Sequence, residues 1–150
     1  MAFKMRVFRL LVPIAFAVLP QMAAFANGQF ATSSSEALAS ANDRSTGVVV
    51  QGIKIEDLRV LNLWTNVEAA DFAAGRNAVV GRGVADALAI GVGDQIRLID
   101  PNGAATPFGV APRVMTYNVA AIIEMAPFAG TTNTVYVSPK AFEKLTRGRH

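Results

Sequence analysis

The feature that most constrains this chain is a proline-rich segment, DPNGAATPFGVAPR, at residues 100–113. A proline has no backbone N–H, so it interrupts the hydrogen-bond ladder of a helix or a central strand. A strand-like run, QIRLI, leads into the segment, and another, MTYNVAAII, leads out of it. The pattern therefore predicts two strands joined by a stiff, apolar loop that neither a helix nor a plain strand accommodates.

This loop carries an aromatic residue at its predicted tip. Phe108 lies between Pro107 and Gly109, where we expect no core to reach it. Each proline restricts the backbone and so lowers the entropy that the loop loses when another protein grips it. An exposed aromatic side chain on such a loop is the kind of anchor that fills a pocket of a partner. The alternative is a long hairpin loop without a binding role, and we favour partner binding.

The composition argues against several other functions. The 150-residue chain has no Cys, and its one His is the last residue, His150, so disulfides, thiolate metal sites and histidine-rich zinc sites are excluded. Its net charge is +3, but Lys4, Arg6 and Arg9 precede every acidic residue, and the remaining basic and acidic residues balance. Because no basic stripe with interleaved aromatic residues is visible, we expect no nucleic-acid binding.

No motif predicts catalysis or a cofactor. VVGRGVADAL, at residues 79–88, resembles a dinucleotide-binding fingerprint, but Asp86 occupies the third glycine position and would place a carboxylate beside the pyrophosphate. Asp94 and Asp100 fit ordinary turns, and Ser138 fits a helix cap better than a Ser-Lys nucleophile pair with Lys140. We therefore expect that the chain is not an enzyme and has no cofactor or metal.

The first 26 residues allow two interpretations. They combine a basic start, an apolar stretch and Ala24-Phe25-Ala26, the layout of a secretory signal peptide cleaved after Ala26. The alternative is an N-terminal remnant of the domain, in the form of a buried strand and turn. Residues 27–46 are small and polar, and they predict a linker with a short helical turn at residues 35–41. The folded domain is then predicted to span residues 47–150.

The rest of the chain predicts an α+β domain, in which short strands and short helices follow one another. One helix should bury Val84 and Leu88, and a last helix, capped by Ser138, should bury Phe142 and Leu145. Another short helix or turn would carry Leu58, Leu61 and Trp64. The predicted strands are residues 47–55, 77–80, 95–99, 115–125 and 134–137, and the two clearer helices are residues 82–89 and a segment that begins at Pro139.

The pattern that several of these residues form resembles that of a known family. The matching positions are Gly81, Ala85, Leu88, Gly91, Gly93-Asp94, Thr106-Pro107-x-Gly109-x-x-Pro112, Tyr117 and Val119, together with GVVVQGIKIEDL and LPQMAAFANG upstream. Over about residues 17–145, the chain resembles the periplasmic domain of the lipoprotein-releasing permeases of the LolC/LolE type. These are membrane subunits of an ABC transporter that extracts lipoproteins from the inner membrane of Gram-negative bacteria. MacB-type periplasmic core domains are related to them.

The resemblance implies a fold, a location and partners. The fold would be an incomplete MacB-like core domain, a small mixed sheet with short helices and a protruding proline-rich β-hairpin, on the periplasmic side of the inner membrane. In LolC-type subunits this hairpin is a hook that grips the lipoprotein carrier LolA. An ABC ATPase, a second permease subunit and the lipoprotein substrate complete the system. The hook positions are Thr106, Pro107, Phe108, Gly109 and Pro112, and the implied basic patch contains Arg97 and Arg113.

The chain also departs from this family. The family has one transmembrane helix before the domain and three after it, and the later part of the domain is expected beyond Leu145. The loop pattern favours a LolC-like or hybrid permease over a LolE-type one, and the chain is predicted to be truncated. Three alternatives stay open: a MacB-type domain of another export transporter, a free secreted periplasmic binding domain, and a nucleotide-binding enzyme.

Overall fold

The computed structural model describes residues 33–60, 68–124 and 133–147. The predicted α+β class, with a mixed sheet and short helices, is confirmed. The predicted signal peptide or remnant at residues 1–26 lies outside the described residues, as do Leu61 and Trp64. The elements are β1 Ser33–Ala41, β2 Arg44–Gly52, α1 Ile55–Val60, α2 Ala69–Ala73, β3 Asn77–Gly81, α3 Arg82–Leu88, β4 Gln95–Thr106, β5 Gly109–Ile123, β6 Thr134–Val137 and α4 Pro139–Thr146.

The strands form a closed barrel in the order β1-β2-β6-β3-β5-β4. The pairs β2–β6 and β3–β5 are parallel, and the other pairs are antiparallel. Three residue pairs between β1 and β4, from Leu38 with Ile99 to Ser40 with Arg97, close the barrel. Each described strand therefore has a neighbour on both sides along part of its length, which reduces the exposed sheet edges that promote aggregation.

The linker predicted at residues 27–46 is wrong from residue 33 onwards, because β1 and the start of β2 lie there. Ala37, Ala39 and Ala41 are buried in the barrel, whereas Leu38 and Ser40, which alternate with them, are more exposed. The two strands meet in a two-residue turn in which Asn42 and Asp43 have φ of 49° and 58°, the backbone of a type I′ hairpin. Alanine and serine have weak strand propensity, so pairing with β2 and β4 decides the structure here.

The β1–β2 turn is attached to the end of α3. The Asn42 side-chain amide donates to the carbonyl oxygens of Leu88, at 3.2 Å, and Ala89, at 3.0 Å. Ala89 itself has a left-handed backbone with φ 53°. The asparagine thus satisfies two carbonyl groups that the helix end leaves without an intrahelical partner.

The main core fills the inside of the barrel, and α3 and α4 contribute to it. The predicted burial of Val84, Leu88, Phe142 and Leu145 is confirmed. The predicted cap of α4 is also confirmed, because the Ser138 hydroxyl accepts from the backbone N–H of Ala141 at 3.2 Å. A second apolar cluster lies against the outside of the wall, where α1 and α2 cover it; it includes Ile53, Leu58, Phe72 and Tyr136. In residues 33–60, 68–124 and 133–147, the helices are all too short to cross a membrane.

Tyr117 inside the barrel predicts a loss of stability at high pH. Its side chain is 1% exposed, its hydroxyl donates to the carbonyl of Ala141 at 3.5 Å, and burial raises its pKa to about 12 from 10.0. A pKa that is raised in the folded state stabilises the protein below the unfolded pKa, and this stabilisation is lost as the pH rises from 10 to 12. The expected loss is about 3 kcal/mol.

Urea denaturation of the wild-type chain and of Tyr117→Phe between pH 8 and pH 12 checks this prediction. The variant should keep part of the pH dependence, because burial also raises the pKa of Tyr136. Identical pH dependence in the two proteins would show that the Tyr117 hydroxyl does not contribute.

Candidate functional site

The proline-rich segment forms a protruding, paired β-hairpin, which confirms the hairpin that the family resemblance implies. Strands β4 and β5 continue past the barrel wall and pair again from Ala104 with Ala111 to Thr106 with Gly109. We call residues 101–112 the arm; none of them is buried, and their described strand pairing is only with each other. The prolines are compatible with this ladder because Pro101 and Pro112 lie at an irregularity in the pairing and Pro107 lies in the turn.

A bulge at the base of the arm requires a glycine. Between the pairs Asp100–Arg113 and Ala104–Ala111, three residues of β4 lie opposite Pro112 alone. The Asp100 carboxylate accepts from the backbone N–H of Asn102 at 3.0 Å and so helps to hold the bulge. A Cβ on Gly103 would lie 2.1 Å from the carbonyl oxygen of Ala111. Only a residue without a side chain lets the two strands approach this closely.

The tip of the arm is a two-residue turn, Pro107-Phe108, held by Thr106. The Thr106 hydroxyl donates to the carbonyl of Gly109 at 2.7 Å and accepts from the backbone N–H of Phe108 at 3.3 Å. Gly109 has φ 117°, a conformation that other residues rarely adopt. The Phe108 side chain is 100% exposed, so the predicted position of this aromatic residue at the tip is confirmed.

An exposed apolar row extends from the arm to the barrel wall. Val110 and Val114 are 64% and 50% exposed, and strand alternation places them on the same face of β5. Val114 pairs with Ile99 of β4, which in turn pairs with the 40% exposed Leu38 of β1. Val110, Val114 and Leu38 were not among the site residues predicted from the sequence. The alternation in VAPRVMT would have indicated the two valines once the segment was placed in a strand.

The two predicted patch arginines lie on opposite faces of the β4–β5 ribbon, so they do not form a single patch. Arg97 is exposed and pairs with Thr116 on the outer face. Arg113 pairs with the buried Asp100 and is itself half-buried. Its Nη1 donates to the carbonyl of Leu145 at 3.0 Å, whereas its Nη2 is buried without a hydrogen-bond partner. Thr116, the partner of Arg97, and Arg113 are three residues apart on β5, and this separation puts two side chains on opposite faces of a strand.

Two polar residues considered for catalysis have structural hydrogen bonds. The Asp94 carboxylate accepts from the backbone N–H of Gly91 at 2.8 Å, as expected for a turn, and Ser138 caps α4. Among the residues that the structure describes, no group of three or more His, Asp or Glu side chains could hold a metal ion. The exposed apolar tip and row are therefore the most prominent candidate site in these ranges.

No protein-family model and no curated protein matches this sequence. Among solved structures, the chain is similar to the crystal structure of the extracellular domain of YknZ, a noncanonic ABC-type transporter from Gram-positive bacteria. The TM-score is 0.53 at 15% sequence identity, over 75% of this chain and 54% of that chain. This chain thus spans about half the length of the YknZ domain. The described residues adopt a fold similar to that of an ABC transporter extracellular domain.

Proposed function

We propose that this chain is an extracytoplasmic domain of an ABC transporter permease and that its arm docks a periplasmic lipoprotein carrier of the LolA type. Two independent features support the proposal. The fold is similar to the extracellular domain of an ABC-type transporter. The motif Thr106-Pro107-x-Gly109-x-x-Pro112, which resembles the LolC hook, extends from the tip of the arm to the bulge at its base.

The observation that carries the proposal is the complete exposure of Phe108 at the tip of a paired arm. An aromatic side chain that remains in water gains free energy when a partner pocket buries it. The Thr106 hydrogen bonds, the bulge and the prolines restrict the conformations open to the arm before binding. Little conformational entropy is then lost on docking, which favours affinity.

The proposal assigns docking, and not catalysis, to this chain. ATP would be hydrolysed by a separate cytoplasmic ABC ATPase, and a second permease subunit would complete the complex at the inner membrane. The domain would lie on the periplasmic side and hold the carrier while a lipoprotein passes to it for transfer to the outer membrane. In this arrangement Arg97 on the outer face would orient the approaching carrier, because exposed charges mainly affect the rate of encounter.

The second candidate is a MacB-type domain of another export transporter. The structural similarity supports this candidate as well as the first, because it is a similarity of fold to the extracellular domain of a noncanonic ABC-type transporter. In that case the arm would dock a different protein of the export complex. A free secreted binding domain is a third candidate, which would use the arm without a membrane complex.

Replacing Phe108 by alanine is expected to weaken binding to a LolA-type carrier by about 30-fold, which corresponds to the loss of an interface hot spot of about 2 kcal/mol. Surface plasmon resonance with the full 150-residue chain measures this effect. Val92→Ala is a control, because Val92 is also apolar and is 65% exposed beside the start of β4, at the end of the ribbon opposite the tip. Val110→Ala removes the same atoms as the control at the same exposure, but from the arm.

The expected order is a strong loss for Phe108→Ala, a smaller loss for Val110→Ala and none for Val92→Ala. Equal binding by Phe108→Ala and the wild-type chain would refute docking through the arm. If the wild-type chain does not bind the carrier, the assignment of a lipoprotein carrier as the partner fails. The second candidate, a MacB-type domain of another export transporter, is then favoured.

A further inference from the structure

A groove of about 830 Å³ lies between α4 and the part of β5 next to the arm. Its position follows from Arg113, which comes directly after the last arm residue, Pro112, and whose guanidinium donates to the last turn of α4. The groove is open to solvent and lies on the face of the ribbon opposite Arg97. The residues that line it are Arg113, Met115, Lys140, Glu143, Lys144 and Arg147.

The groove has a large excess of positive charge. Four of its six lining residues are cationic and only Glu143 is acidic. Adding the buried Asp100, the cross-strand partner of Arg113, still leaves two more cations than acids. The ion pairs found in the described parts of the chain are elsewhere, between Arg76 and Asp71 and between Arg82 and Glu124, and none involves the four cations.

Stabilisation of α4 explains only some of these charges. Lys144 and Arg147 lie at the carboxyl end of the helix, where a cation interacts favourably with the helix dipole. Lys140 is the second residue of the helix, at the end where a cation is unfavourable, and no acidic residue occurs in that first turn. Lys140 and Lys144 are also one turn apart on the same face, so they repel each other. Binding of an anionic ligand therefore explains these charges better than stabilisation of the helix does.

We propose that this groove binds a carboxylate-bearing segment of the partner that docks on the arm. The identity of that partner rests on the proposed function, whereas the binding chemistry rests on the groove alone. Arginine and lysine side chains bind carboxylates through charge-assisted hydrogen bonds, and Arg113 is held in position by Leu145. A protein seated on the arm has the groove beside it, and Met115 gives the groove an apolar component suited to a peptide. These features favour an acidic segment over a lipid phosphate.

Binding of hexaglutamate to the full chain tests the groove without the partner. Isothermal titration calorimetry at low ionic strength should show saturable binding that weakens at least tenfold in the double variant Lys140→Ala/Lys144→Ala. The control Arg44→Ala/Lys54→Ala removes the same number of charges from exposed positions elsewhere and should bind like the wild-type chain. Absence of binding, or equal binding by the double variant, would overturn the inference. Stronger binding to phosphatidylglycerol vesicles than to hexaglutamate would overturn it in favour of a lipid headgroup.

Measurements with the carrier separate this inference from the proposed function. Lys140→Ala/Lys144→Ala should weaken carrier binding at low salt and have little effect at high salt, because screening removes the attraction. Phe108→Ala should weaken binding at both salt concentrations. If only Phe108→Ala has an effect, the arm docks the carrier and the groove does not. If hexaglutamate binds as expected but Phe108→Ala has no effect on the carrier, the proposed function fails and the anionic site stands.

Discussion

Replacing Phe142 by alanine is expected to lower the free energy of unfolding by about 3–5 kcal/mol. Phe142 is 3% exposed and extends from α4 into the main core. Phe142 lies so close to β2 that a Cβ added to Gly52 would be 2.8 Å from the Cβ of Phe142. Removing the ring leaves a cavity that the barrel wall cannot easily close, because the strands are paired on both sides. Urea denaturation followed by circular dichroism measures the loss.

Phe108→Ala is the matched control for this experiment. It deletes the same atoms from a side chain that is fully exposed, so we expect a change within about 0.5 kcal/mol. The pair of variants separates stability from binding, because the first should unfold more easily and the second should lose only its partner. A similar destabilisation by both substitutions would mean that Phe108 packs against the domain, which contradicts its position at the tip.

Replacing Gly103 by alanine should disrupt the arm while the barrel remains folded. The new Cβ would lie 2.1 Å from the carbonyl oxygen of Ala111 and 2.6 Å from the backbone nitrogen of Arg113. Because both are backbone atoms, the two strands must separate, and we expect a cost of about 1–3 kcal/mol or more, mostly local to the arm. Hydrogen exchange should then become much faster for the arm amides and change little for those of β2 and β6.

Gly47→Ala provides the comparison, since nothing lies within 4 Å of a Cβ at that position. Gly47 is also a strand residue, so the two variants share the change in backbone entropy and differ in the clash. The control should exchange like the wild-type chain, whereas Gly103→Ala should also lose carrier binding. Unchanged exchange in the arm of Gly103→Ala would show that the bulge can shift to accommodate a side chain.

The parts of the fold that the sequence predicts are those with a clear local pattern. Val84 and Leu88 are one helical turn apart, and Ser138 precedes a proline, so α3 and the start of α4 were predicted correctly. Strand β6 was predicted with its observed bounds. The helices have helical spacing or a capping residue, and β6 is a short β-branched and aromatic run, so their local preferences agree with the tertiary structure.

The elements that could not be predicted depend on pairing between distant segments. Strand β1 is rich in alanine and serine, and only its pairing with β2 and β4 makes it a strand. Closure of the barrel requires Leu38 to meet Ile99, which no local pattern indicates. The protruding hairpin that the family resemblance implies is confirmed, but the residues alone predict only a stiff loop between two strands, because they do not show that the prolines occupy the bulge and the turn of a paired ladder.

In the candidate site, too, features set by the local sequence could be predicted, whereas features set by distant pairing could not. Exposure of Phe108 follows from its two neighbours in the sequence, so it was predictable. The separation of Arg97 from Arg113 requires the strand register, and the groove requires α4 to lie beside β5. Whether the seven predicted positions, Arg97, Thr106, Pro107, Phe108, Gly109, Pro112 and Arg113, contact a partner is a prediction that the binding experiments address.

The two strands of the arm are also wall strands, and each is paired on its other side, β4 with β1 and β5 with β3. Inter-strand hydrogen bonds run across the strands, so tension applied at the tip and directed along them acts on both ladders in shear. Under such tension many bonds must rupture together instead of unzipping one after another. The hairpin can therefore transmit a mechanical pull from a bound protein directly into the barrel.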